Sequence, residues 1–109
     1  MSPLQRLHLE LSHLPDVKQC ASRFGSRQHP AWSVGRREFA HLHSADLLDL
    51  RLPRSIQRTL REDPRAHFRA GASDWLEFEF HTLEDVEHLA ALVRQAWAAF
   101  SRSSARPAG

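Results

Sequence analysis

Two histidines two residues apart, His41 and His43 in the run Arg37-Glu38-Phe39-Ala40-His41-Leu42-His43, are the residues best placed for chemistry. On a strand, side chains at i and i+2 share a face with Cα atoms roughly 7 Å apart, so both imidazoles could reach one metal ion. A zinc or iron site needs a third ligand, and Asp46 and Asp49 just downstream or His67 further on supply the right chemical types. Without a metal the same groups suit proton transfer, because imidazole titrates near neutrality. Asp49, set among leucines, is the acid that would orient a ring and fix its tautomer. These residues define a candidate catalytic set of His41, His43, Asp49 and His67, lining a small-ligand or catalytic pocket on a sheet. The alternative is a solvated polar face on which the histidines bond water or acids such as Glu77 and Glu79.

Other chemistries find less support. Gly35 precedes His41 and His43 as in the first His-x-His motif of the cupins, but no Glu follows promptly and no second histidine motif exists. Glycine-rich phosphate loops, Walker sequences, nucleophile elbows and paired CxxC elements are absent. Cys20, the lone cysteine, reads as a small buried hydrophobe rather than a nucleophile. Arg54, Arg58, Arg61 and Arg65 recur at helical steps, with Trp32 or Phe68 as candidate aromatic neighbours. That face could meet nucleic acid or an acidic protein partner, the second function class to weigh. Basic residues outnumber acids twelve to seven up to residue 73, and acids outnumber bases six to three beyond it. Fourteen arginines against one lysine give a compositional explanation for the same arginines on a solvated surface.

The elements that must position these groups follow from periodicity. Leu4, Leu7, Leu11 and Leu14 predict a first helix between Ser2-Pro3 and Pro15. A first strand is expected within Val17–Phe24, a turn at 25–30, and an extended stretch from Ala31 to Val34 closing at Gly35. Simple alternation across Arg37–His43 puts Phe39, His41 and His43 on one face and Ala40 and Leu42 on the other. Leu47–Leu52 reads as its partner strand, with Leu48, Leu50 and Leu52 inward and Asp49 on the other side. Pro53 starts a helix with Ile56 and Leu60 inward, ending at Asp63-Pro64. Residues 65–69 form a short strand or loop; Trp75, Glu77 and Glu79 then alternate with Leu76, Phe78 and Phe80. Thr82 and Asp85 open a last helix carrying Val86, Leu89, Val93 and Phe100.

This order, roughly α-β-β-β-α-β-β-α, predicts a single α+β domain over residues 1–100, a mostly antiparallel sheet with helices on one face, and a flexible tail at 101–109. The length of 109 residues suits one core. The N-terminal segment, with Arg6 and Glu10 among its leucines, is too polar for a signal peptide or membrane span, and the lone cysteine suits a reducing cytoplasm.

The run from Arg37 to His43, continued by Asp46-Leu47-Leu48-Asp49-Leu50, resembles the luciferase domain family. The resemblance implies a pattern in which an acid precedes a His-x-His strand, followed by a Leu/Asp strand, a proline-started helix and a further histidine. Glu38, His41, His43, Asp49, Pro53 and His67 fill those places. It extends through Asp74–Phe78 and Thr82–Val86, covering about residues 13–100. One departure is Asp63-Pro64, where family members often carry glycine. The family name brings no light emission with it: nothing in the chain resembles flavin, luciferin or oxygen chemistry. Cofactor, substrate and oligomeric state are left open.

Overall fold

The computed structural model describes residues 1–21, 29–71 and 73–105, with side chains to residue 102. The elements run α1 (Pro3–Ser12), β1 (Val17–Ala21), β2 (Pro30–Val34), β3 (Arg37–Ser44), β4 (Leu47–Arg51), α2 (Arg54–Gln57), a 3₁₀ turn (Arg58–Leu60), β5 (Ala66–Phe68), β6 (Trp75–Glu79) and α3 (Leu83–Ala105). The strands make one antiparallel sheet in the order β1-β2-β3-β4-β6-β5. The expected α+β class and antiparallel sheet are therefore present. Most of the predicted 25–30 turn lies outside the described residues.

Local signals explain the helices. Ser2 caps α1 through a reciprocal box: its Oγ accepts from Gln5 N while Gln5 Oε1 accepts from Ser2 N. At α3, Thr82 Oγ1 accepts from Asp85 N, and Asp85 Oδ2 accepts from the N–H groups of His81 and Thr82. The His81 amide first, then the Arg65 guanidinium on Oδ1 and the Thr82 bonds, hold the Asp85 carboxyl down at about 2 against the effect of burial. α3 continues to Ala105, beyond Phe100 where the apolar repeat ends, and no proline interrupts the chain before Pro107. Among the described residues no helix is long and apolar enough to cross a membrane.

Leu7 and Leu11 of α1 and Val86, Leu89, Val93 and Ala96 of α3 bury with Trp32, Ala40, Leu42, Leu48, Leu50, Leu76 and Phe78 of the sheet and with Phe80 just after β6. The helices thus cover one sheet face, and alternation sends Asp49, Arg51, Trp75, Glu77 and Glu79 to the other. Three expectations change. Cys20 is exposed rather than buried, because β1 is an edge strand whose residues from Lys18 onward are uncovered. The middle helix is one short turn extended by a 3₁₀ turn, with Ile56 and Leu60 partly buried as expected and Gln57 buried beside them. Gln57 is satisfied by donating to the carbonyls of Leu52 at 2.9 Å and Ser73 at 3.2 Å, which ties the turn to the loop before β6.

The third change is in β3. Trp32 faces Ala40 and Ser33 faces Glu38, so Phe39 is an extra residue and the strand bulges. The bulge resets the two-residue alternation. Phe39 therefore joins Ala40 and Leu42 in the core, and Glu38 takes the face of His41. A second shift, with Leu42 opposite Leu48 and Ser44 opposite Leu47, leaves His43 as another extra residue.

Candidate functional site

The first bulge places Glu38 and His41 side by side, three residues apart on one strand. His41 Nδ1 lies 3.0 Å from Glu38 Oε2, and its Nε2 lies 2.7 Å from Asp49 Oδ2 on the neighbouring strand, where the two residues are register partners. All three side chains are buried: Glu38 is 4 % exposed, and His41 and Asp49 each 1 %. Trp75 on β6 packs its ring 4.9 Å from the His41 ring. An imidazole with an acid on each nitrogen can bond both only if both nitrogens carry hydrogen or one carboxyl holds the proton. The ring is clamped in either case.

Asp49 is the hub. Besides His41, its Oδ2 lies 3.4 Å from Nδ1 of His43, and its Oδ1 faces the Arg69 guanidinium at 3.3 Å without an aligned hydrogen bond. Burial would push this carboxyl up, but the His41 bond and the charges of His41, Arg69 and His43 outweigh it and hold it below its ordinary value. Asp49 is thus kept as a carboxylate inside the protein. His43 is its outward contact: its side chain is 57 % exposed, and the bulge that removes it from the ladder turns it toward solvent beside Glu77, 3.8 Å away.

The structure therefore brings His41, His43 and Asp49 together, and His67 is elsewhere on the same face. His67 on β5 is the register partner of Glu77, but its Nε2 bonds Glu79. Glu79 also meets His81 Nε2 at 3.1 Å, and His81 Nδ1 lies 3.7 Å from Asp46. Two of the candidate third ligands, Asp46 and His67, thus belong to this second, exposed cluster. Hydrogen bonds from His81 and His67 hold the Glu79 carboxyl below its ordinary value, and the Glu79 bond, followed by the Asp46 charge, raises the His81 imidazolium.

The metal arithmetic changes as well. Both His41 nitrogens are engaged by acids, so His41 and His43 do not form a shared pair of ligands. Among the described residues the set with metal-type ligand atoms all within 4.8 Å of one another is His43, Asp49 and Glu77. The candidate catalytic set read from the sequence leaves out Glu38, which enters only through the family pattern, and Glu77, which enters only as an acid that the histidines could bond; Trp75 and Arg69 are not assigned to the site. For Glu38 a signal was present: the polar positions 38, 41 and 43 are spaced three then two, which only a bulge reconciles with a single polar face.

A family model, the luciferase domain, matches residues 36–96, from the turn before β3 into α3. The chain belongs to the luciferase domain family. The match takes in Glu38, His41, His43, Asp49, Arg69 and Glu77. It is shorter than the span of residues 13–100 suggested by the sequence, leaving α1, β1 and β2 outside it. No curated protein and no solved structure matches the chain.

Proposed function

We propose that this luciferase-domain protein binds a small molecule over the polar face of its sheet and moves a proton on it through His43. The observation that carries this reading is the buried chain Glu38–His41–Asp49 ending at a half-exposed imidazole. Desolvating two carboxyl groups and a ring is expensive, and their mutual attraction seldom does more than offset it. Such a chain is understandable as a way to hold Asp49 ionised and immobile so that it fixes the tautomer and direction of His43. In this reading His43 is the catalytic residue, Asp49 positions it, and His41 with Glu38 positions Asp49. Trp75 and Glu77 border the place where substrate would sit. A cytoplasmic setting accompanies the proposal, supported by a single cysteine, Cys20, with no second cysteine to form a disulfide.

Diethyl pyrocarbonate, which acylates nucleophilic imidazole nitrogen, tests the proposal without knowledge of the substrate. His43 is expected to react severalfold faster than His13, an exposed histidine after α1, and Asp49→Asn is expected to abolish the difference. Equal rates at His43 and His13, read by peptide mass spectrometry, overturn the reading.

A second reading has its own observation in the clustering of His43, Asp49 and Glu77. Those residues would hold a zinc-type ion with positions left for substrate. Raised thermal stability with Zn²⁺, lost in Glu77→Gln, would favour it over proton transfer alone.

A further inference from the structure

A second place on the molecule gathers unspent chemistry. Between the α2–3₁₀ segment and the β5–β6 connection lies an open cleft of about 420 Å³, lined by Arg54, Arg58, Arg61, Arg69, Phe68 and Gly71 among others. Its described lining contains no acidic side chain. Among the described residues Arg54, Arg58 and Arg61 have no ion-pair partner, whereas the fourth arginine of the sequence pattern, Arg65, turns away to Asp63 and Asp85. Steps of four and three residues put the three free guanidiniums on one side of a tight helical turn, where like charges repel. An anion in the cleft would relieve that repulsion, and guanidinium forks match phosphate oxygens in pairs.

The cleft also has an aromatic surface. Phe68, at the end of the edge strand β5, leaves 46 % of its surface exposed, and it is among the few large apolar side chains that do so. Gly71, at φ +81°, turns the adjoining loop and contributes no side chain to the wall. A volume of this size accommodates a ligand of mononucleotide dimensions.

We infer that this cleft is a binding site for a small organic phosphate whose planar ring stacks on Phe68 while Arg54, Arg58 and Arg61 hold the phosphate. The inference stands apart from the role of His43. Arg69, which lines the cleft and also faces Asp49, is the residue the two places share.

Isothermal titration of the full chain at low salt decides it, using adenosine 5′-monophosphate, inorganic phosphate, adenosine and a single-stranded oligonucleotide as probes. The monophosphate is expected to bind about tenfold more tightly than inorganic phosphate, and adenosine not to bind measurably. Arg58→Ala with Arg61→Ala should weaken both phosphate ligands tenfold or more, while Phe68→Ala should reduce the monophosphate to the level of inorganic phosphate. The exposed pair Arg36→Ala with Arg37→Ala, outside the cleft, should change neither, and circular dichroism of each variant establishes that it is folded. The inference is overturned if the monophosphate fails to bind at millimolar concentration or if the Arg36/Arg37 variant loses as much affinity as the cleft variant. It is also overturned if only the oligonucleotide binds, which would make the arginines a nucleic-acid surface.

Discussion

Two clusters on the same sheet face use the same residue types in inverse arrangements. In one, a histidine sits between two carboxylates, Glu38 and Asp49, and all three are buried. In the other, a carboxylate, Glu79, sits between two histidines, His67 and His81, and all three face solvent. Contact distances alone would rank them as equals. Burial separates them, because water screens the outer cluster and leaves the inner one to satisfy its own charges. The inner cluster passes from buried groups to an exposed one, His43, whereas the outer cluster continues through His81 to Asp46, itself exposed.

His41→Ala should therefore have the largest effect. It leaves Glu38 and Asp49 buried without their shared partner and should cost about 3–5 kcal/mol in urea unfolding, the penalty typical of breaking a buried ion pair. His67→Ala, in the outer cluster, should leave the unfolding midpoint unchanged within error. Replacing the whole inner chain by leucine, as Glu38→Leu, His41→Leu and Asp49→Leu together, should recover most of the stability lost in His41→Ala. That recovery would show that the chain is not maintained for stability. If His41→Ala and His67→Ala behave alike, the contrast between the clusters is wrong.

Much of this contrast was legible in the residues. The alternation of Trp75, Glu77 and Glu79 with Leu76, Phe78 and Phe80, and of Asp49 with Leu48 and Leu50, assigned the faces of β6 and β4 correctly, since the period of a strand is fixed by its backbone. The face of β3 was misread at Phe39 because a bulge inserts a residue that simple alternation does not count. His67 has the right residue type, but β6 stands between its strand and β4, which puts it two strands, roughly 10 Å, from Asp49. That separation is set by strand order, and strand order is a tertiary property. Burial of Asp49 was equally hidden, because an acid on a polar face looks the same in sequence whether or not side chains such as His41 and Arg69 gather around it.

The next largest difference should be in acid. The Asp49 carboxyl is held below its ordinary value when folded, so its contribution is present above the unfolded value of about 3.9 and is lost as pH falls through the folded value. Unfolding free energy should fall on acidification below about pH 4, and Asp49→Asn, less stable at neutral pH, should flatten that limb relative to the parent. A limb of unchanged slope in Asp49→Asn would mean that other acids, Asp63 and Asp85 among them, carry the acid sensitivity.

The smallest effect should appear at the opposite end of the pH scale and only in the outer cluster. His81 is raised when folded, first by its bond to Glu79, so its contribution is complete below the unfolded value of about 6.5 and disappears as pH rises through the folded one. Both partners are open to water, so added salt should weaken what they contribute, since charges are screened over about 3 Å at 1 M ionic strength. A slight loss of melting temperature above neutrality is therefore expected, absent in His81→Gln and absent from the parent at high salt. The loss from His41→Ala, by contrast, should persist at high salt, because ions do not enter the space between His41, Glu38 and Asp49. A penalty for His41→Ala that fades with salt would place the inner chain in contact with solvent and remove the physical basis for treating Asp49 as a fixed positioner of His43.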